Sequence, residues 1–180
     1  FEKNCTTYIF DRKNNLETPY SVEDMAEDTV RAMQALDLDA TYLMGMSQGG
    51  SMAQVIAIRH PELVKKLVLV STASRPNSTM RKTVGEWIQY AEVGDFGSLV
   101  HAMVSEFFTD EFVKNNNIIQ VFLDNPPSQD GLLRFIVGFE AQLQFDVYDQ
   151  LDQIRVPILV LGAGDDKVVT AEASHEIAQR

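Results

Sequence analysis

The stretch from residue 41 to residue 70 constrains the fold more than any other part of the chain. Thr41-Tyr42-Leu43-Met44 reads as a strand, and Gly45 to Gly50 as a sharp turn. Ser51 to Arg59 reads as a helix with apolar residues on most sides, closed by Pro61. Leu67-Val68-Leu69-Val70 is a short apolar run between polar flanks, the pattern of a fully buried parallel strand. Strand, helix, strand in this order implies parallel pairing through a right-handed crossover, with the helix packed on the sheet.

The same rhythm extends to both sides. Upstream, Thr6-Thr7-Tyr8-Ile9-Phe10 has the β-branched and aromatic content of a buried strand. A helix is expected from Ser21, where Ser21 and Asp24 form a capping box ahead of apolar residues at helical spacing. Downstream, Val156 to Leu161 reads as another buried strand, followed by a loop and a helix from Ala171.

Between residues 79 and 148 no strand pattern is found. Helical stretches are expected at 80–93, 97–108, 110–123 and 128–145, broken by Gly94, Asn115-Asn116-Asn117 and Asn125-Pro126-Pro127. Eight of the ten phenylalanines fall here, which marks the region as a helical unit with its own apolar packing. The expected class is therefore α/β: a mostly parallel central sheet flanked by helices, interrupted by an all-helical insertion before the last strand. The division is 1–75 for the first part of the core, 76–150 for the insertion and 151–180 for the second part.

Composition narrows the partners. The 180 residues carry 15 Lys plus Arg against 26 Asp plus Glu, a formal charge of −11. Such a surface repels phosphate backbones and anionic lipid heads, so neither nucleic acid nor a membrane surface is expected. No apolar run approaches the length of a membrane span, and Phe1 to Cys5 lacks the layout of a secretory leader. Cys5 is the single cysteine, which fits a reducing, cytoplasmic setting. The first residue is not Met, and the chain opens almost directly into a strand pattern, as a piece of a longer protein would.

The turn itself carries chemistry. Gly45-Met46-Ser47-Gln48-Gly49 is a G-x-S-x-G run lying between an apolar strand and a buried helix, the setting of a nucleophile elbow. A reversal at one residue forces Ser47 into a strained conformation that presents its Oγ. Gly45 and Gly49 lack Cβ atoms and allow strand and helix to approach. The Gln48 N–H then faces the place where an oxyanion forms, at the positive end of the helix. A serine hydroxyl needs a base and the base an orienting acid. Asp165 and Asp166, in the loop that leaves the last strand, are the acid candidates; the carboxyl ends of parallel strands are where such groups gather.

Leu43 to Leu69 and Val156 to Val169 together resemble the α/β-hydrolase fold superfamily, two motifs in that family's order. The helical stretch between them resembles its cap. The resemblance implies Asp166 as the acid, because Lys167 and the apolar pair Val168-Val169 follow it. Asp11-Arg12 resembles an Asp-Arg after an earlier core strand, but Lys13-Asn14-Asn15 replaces the usual glycine-rich continuation. It further implies a catalytic His some 25 residues beyond Asp166, where the chain has only 14 more. It also implies a strand between those of Tyr8 and Tyr42 and a second oxyanion donor, both preceding Thr6. His60, at a helix end, His101, on an inserted helix, and His175, on the last helix, all read as structural or surface residues.

The expected activity is hydrolysis of a small ester, thioester or lactone through an acyl-enzyme. The Phe-rich insertion suggests an apolar acyl or alkyl group. The alternatives are a hydrolase-like binding module without turnover, and cofactor-free haloperoxidase-like or carbon–carbon-bond hydrolase chemistry on the same triad. No cofactor or metal is expected. There is no phosphate-cradling loop, zinc spacing or dinucleotide fingerprint, and Asp146, Asp149 and Asp152 read as a solvated helix end.

Overall fold

The structure is a computed structural model and describes residues 5–13, 16 and 18–180. Three strands form one parallel sheet in the order β1-β2-β3: β1 Thr41–Met46, β2 Val64–Val70 and β3 Ile158–Leu161. The first helix, α1 (Val22–Ala35), begins at Ser21, whose hydroxyl accepts from the Asp24 N–H while the Asp24 carboxylate accepts from the Ser21 N–H. Its apolar face, with Val22, Met25, Ala26, Val30 and Met33, is buried. Helix α2 (Gln48–Arg59) follows β1 and leads through a short 3-10 turn at Pro61–Leu63 into β2. It is buried almost all round, as its composition requires.

Five helices stand between β2 and β3: α3 Ser78–Glu92, α4 Phe96–Phe107, α5 Asp110–Asn115, α6 Ile118–Leu123 and α7 Gln129–Gln144. The asparagine run splits the third expected helix into α5 and α6. After a 3-10 segment at Tyr148–Gln153 the chain enters β3, and α8 (Ala171–Ala178) follows. Two apolar cores result. One joins α1, α2 and the covered face of the sheet, with Val137, Ala141 and Phe145 added from α7 and its end. The other is built on Trp87, Met80, Val84 and Leu99 and takes in Val168 and Val169 from the loop after β3.

Two expectations are corrected. Thr6 to Phe10 is not a strand: the segment joins no ladder, and Ile9 is 92% exposed. Strand propensity cannot fix a backbone that has no neighbour to pair with. The three strands are also not buried on both faces. The register aligns Gly45, Leu69 and Val160 on one face and Met44, Val68 and Leu159 on the other. The first face is covered, whereas Met44 is 64% and Leu159 52% exposed. Among the described residues, helices cover that second face incompletely.

Candidate active site

Ser47 is the single residue between β1 and α2, with φ 51° and ψ −123°. That region is costly for any residue with a Cβ, so the surroundings must hold it. They do so through the backbone. The Ser47 N–H donates to Val70 O at 2.9 Å, and its carbonyl accepts from Thr72 Oγ1 at 2.7 Å and from the Gly50 N–H at 2.8 Å. The end of β2 thus grips the turn from both sides. The Ser47 hydroxyl makes no capping hydrogen bond, and the residue is exposed.

The glycines divide their work differently from the sequence expectation. A Cβ on Gly45 would stand 2.6 Å from the Gly49 carbonyl carbon and 2.7 Å from Gly50 Cα, so strand and helix meet there by backbone contact. A Cβ on Gly49 would meet nothing within 4 Å. The second close approach belongs to Gly50, whose Cβ would lie 2.5 Å from the Thr72 side chain. Gly49 is therefore not needed for close approach; its neighbour Gly50 is.

Gln48 opens α2, where backbone N–H groups lack intrahelical acceptors. Its N–H has no acceptor among the described residues. Its side chain is buried and bridges two layers: Oε1 accepts from the Arg12 guanidinium, and Nε2 donates to the Gly138 carbonyl of α7. Burial pulls the Arg12 pKa down, and among the described residues no carboxylate lies within ion-pair distance of it. This bridge escaped the sequence reading, because nothing in the spacing of residues 12, 48 and 138 links them.

Asp166 lies in the loop after β3. Its Oδ1 accepts from the Val168 N–H at 3.0 Å and the Val169 N–H at 2.8 Å, which fixes the carboxylate against its own loop. Its Oδ2 has no partner among the described residues. Asp165 is exposed and makes no such bonds. Asn77 anchors the loop from outside, its Nδ2 donating to Val169 O at 2.9 Å while its Oδ1 caps α3 through the Met80 N–H. Lys167 Nζ donates to Ser105 O at 3.0 Å, tying the same loop to α4.

Ser47 and Asp166 both follow the carboxyl ends of their strands. Met46, Val70 and Leu161 are aligned in register, and β2 separates the two loops. Two strand spacings place the strand ends roughly 10 Å apart, room for one imidazole between the side chains. Among the described residues no histidine hydrogen-bonds to Ser47 or Asp166. His60 ends α2 just before the start of β2, at the other end of the strands, with Nε2 3.1 Å from Glu27 Oε1. His101 on α4 and His175 on α8 are exposed. Among the described residues no cluster of three or more His, Cys, Asp or Glu could hold a metal ion, and Asp149 pairs with Arg180. No helix of the described residues is long and apolar enough to cross a membrane.

The parallel sheet, its helical insertion and the strand–serine–helix turn define a family, and the sequence bears this out. Residues 3–180 match the family described as alpha/beta hydrolase fold, and the chain belongs to it. It is 28% identical over 170 residues to "Putative carbamate hydrolase RutD" of Caulobacter sp. strain K31, covering 92% of this chain and 62% of the relative. It is 25% identical over 158 residues to 3-oxoadipate enol-lactonase 2 of Acinetobacter baylyi, covering 84% and 56%. The crystal structure of the enol-lactonase from Burkholderia xenovorans LB400 superposes with a TM-score of 0.80 at 22% identity, covering 91% of this chain and 62% of that one. The chain thus spans about three fifths of the length of these relatives.

Proposed function

We propose that the protein is a serine hydrolase acting on a small acyl compound: an ester, thioester, lactone or carbamate. The observation that carries this reading is Ser47 at positive φ between β1 and α2, with the Gln48 N–H unclaimed beside it. Ser47 Oγ attacks the carbonyl carbon while a base removes its proton. The carbonyl oxygen becomes an oxyanion and accepts a hydrogen bond from the Gln48 N–H, at the positive end of α2. The leaving group takes the proton back from the base, and water then hydrolyses the acyl-enzyme by the same steps. Asp166 Oδ2 orients the base. None of the three histidines of residues 1–180 bonds to Ser47 or Asp166, so the reading assigns the base to a residue outside this segment.

In this reading helices α3 to α7 are the cap, inserted at 76–150 between core parts 1–75 and 151–180. The names of the sequence relatives, a carbamate hydrolase and an enol-lactonase, both describe attack at an acyl carbon, which supports the reaction class.

The test is covalent labelling of the full-length protein with a fluorophosphonate. Stoichiometric modification of Ser47, abolished in Ser47→Ala, is the expected result. The misplaced histidines favour the second reading, a binding module without turnover. An unlabelled, folded full-length protein would establish that reading and sink the hydrolase.

A further inference from the structure

One turn of α2 beyond Ser47 lies a polar cluster that the candidate site does not use. Ser51 and Gln54 stand on α2, Ser74 follows Ala73 in the segment after β2, and Gln142 stands on α7; all four are buried. The Ala73 carbonyl is the hub, accepting from Gln54 Nε2 at 3.2 Å and from Ser51 Oγ at 3.5 Å. Gln54 Nε2 also donates to Gly50 O at 3.2 Å, and Gln142 Nε2 donates to Ser51 Oγ at 3.0 Å. The Val147 N–H donates to Ser74 O at 2.9 Å, which draws Ser74 toward the end of α7 that carries Gln142.

Three atoms of this cluster, Gln54 Oε1, Ser74 Oγ and Gln142 Oε1, have no hydrogen-bond partner among the described residues. Native proteins leave few buried polar groups unpaired, because each has given up its bonds to water on folding. Turning an amide in place does not cure this. Both Nε2 hydrogens of Gln54 are committed, so turning its amide would set its oxygen against two carbonyls. Turning Gln142 lets its oxygen accept from Ser51, but Nε2 then takes the place of Oε1 as the unpaired atom. Ser74 has one hydroxyl proton, and two amide oxygens need a donor.

We propose that one internal water is bound here, held by Gln54, Ser74 and Gln142. Water has two protons to donate, one for each amide oxygen, and it accepts the Ser74 hydroxyl proton. Three partners fall within the two to four that a buried water requires. Water is chosen over a cation because the three atoms are uncharged, and among the described residues no carboxylate bonds to Ser51, Gln54, Ser74 or Gln142. The water joins α2, the segment after β2 and α7, so it supports the serine turn from behind and takes no part in chemistry at Ser47. The site stands whether or not Ser47 is a nucleophile.

The test is a crystal structure of the full-length protein that resolves ordered waters, joined to water–amide cross-relaxation by NMR in solution. The expected result is a density peak within hydrogen-bond distance of all three atoms, with cross-peaks from a long-lived water to the side-chain amide protons of Gln54 and Gln142. Ser74→Ala and Gln142→Met each remove one partner. In each, the residence time read from water relaxation dispersion should shorten about tenfold, the factor for one hydrogen bond of ordinary strength, while circular dichroism stays unchanged. Should either variant fail to fold, the density and cross-peaks of the unsubstituted protein decide alone. A direct bond from Gln142 Nε2 to Gln54 Oε1, with no peak between the two side chains, overturns the proposal. An unchanged residence time in both folded variants does so too. Density that appears only in sodium or ammonium salts would make the ligand a cation and equally overturn the water.

Discussion

At the residue scale, the turn that presents Ser47 depends on backbone contact, and the three glycines around it are not equivalent. Gly45→Ala drives a Cβ into the backbone of Gly49 and Gly50, which cannot rotate away. The expected cost is about 3 kcal/mol, the upper range for overpacking a rigid site. Gly49→Ala meets nothing and replaces a helical glycine, so a gain of up to about 1 kcal/mol is expected. Urea unfolding of the two variants checks the contrast; equal effects would mean that strand and helix do not touch as described. Gln48 is a second residue-scale case. Gln48→Leu keeps the backbone N–H but leaves the buried Gly138 carbonyl and the Arg12 guanidinium without their shared partner. Loss of one side of such a bridge costs about 1–3 kcal/mol. If α7 helps to hold the turn, kcat falls in Gln48→Leu even in the folded fraction. An unchanged kcat would confine the bridge to stability.

At the scale of elements, most of the fold was legible. Helix starts were read well where a side chain closes the first turn, as Ser21 and Asp24 do for α1, because that chemistry is local. The strand at Thr6 to Phe10 was misread because a strand is a property of a pair, and propensity describes only one member. Of the candidate site, the strand–Ser47–helix turn stands where the motif places it and Asp166 stands in the loop after β3, yet what steadies the two was not legible. Asn77 reads as a loop residue in the sequence, but it caps α3 and clamps the loop of Asp166, 89 residues away in sequence. Asn77→Ala should therefore lower stability by about 1–2 kcal/mol through the cap. Both Asn77→Ala and Asn77→Asp should lower kcat, since each loses the donor to Val169 O, whereas aspartate keeps the cap and should spare most of the stability. Thermal unfolding and kcat measured on both variants separate the two roles. Helix α1 offers a pH test. Hydrogen bonds from Ser21 lower the Asp24 pKa below the ordinary carboxylate value. A carboxylate depressed on folding stabilises above its unfolded pKa of about 3.9 and loses that contribution as pH falls through its lower folded value. Asp24→Asn should lower stability on the neutral side and flatten the fall on the acid side, the two proteins converging once Asp24 is protonated, as urea unfolding across pH would show.

At the scale of the whole molecule, the sheet decides how the 180-residue segment behaves by itself. One face is covered, and the other presents Tyr42, Met44, Met46, Leu159 and Leu161, each between 46% and 66% exposed. Strands β1 and β3 are also the outer strands of the three, so each has an edge whose backbone groups pair with no strand among the described residues. Two forces then compete when copies meet. The charge of −11 drives them apart, but at about 0.1 M salt that repulsion is screened beyond roughly 10 Å. Apolar contact acts at shorter range. A side chain of this kind gains about 1.5–3 kcal/mol on full burial, so five of them, each about half buried already, offer several kcal/mol per copy. Attraction should win at physiological salt and lose ground as salt is removed. Residues 1–180 prepared as a separate polypeptide should therefore self-associate in light scattering, more strongly at 0.5 M than at 0.02 M salt. Met44→Lys with Leu159→Lys should suppress it, since both residues stand on the open face and neither side chain supports the covered core. In the full-length protein the same pair reports on what lies over that face. A buried lysine pair costs several kcal/mol, whereas surface substitutions stay within about 0.5 kcal/mol. Coverage by the rest of the protein predicts the large value. A monomeric 180-residue segment at high salt, with the lysine pair neutral in the full-length protein, would mean that this face is a true surface and that the three-stranded sheet is sufficient as it stands.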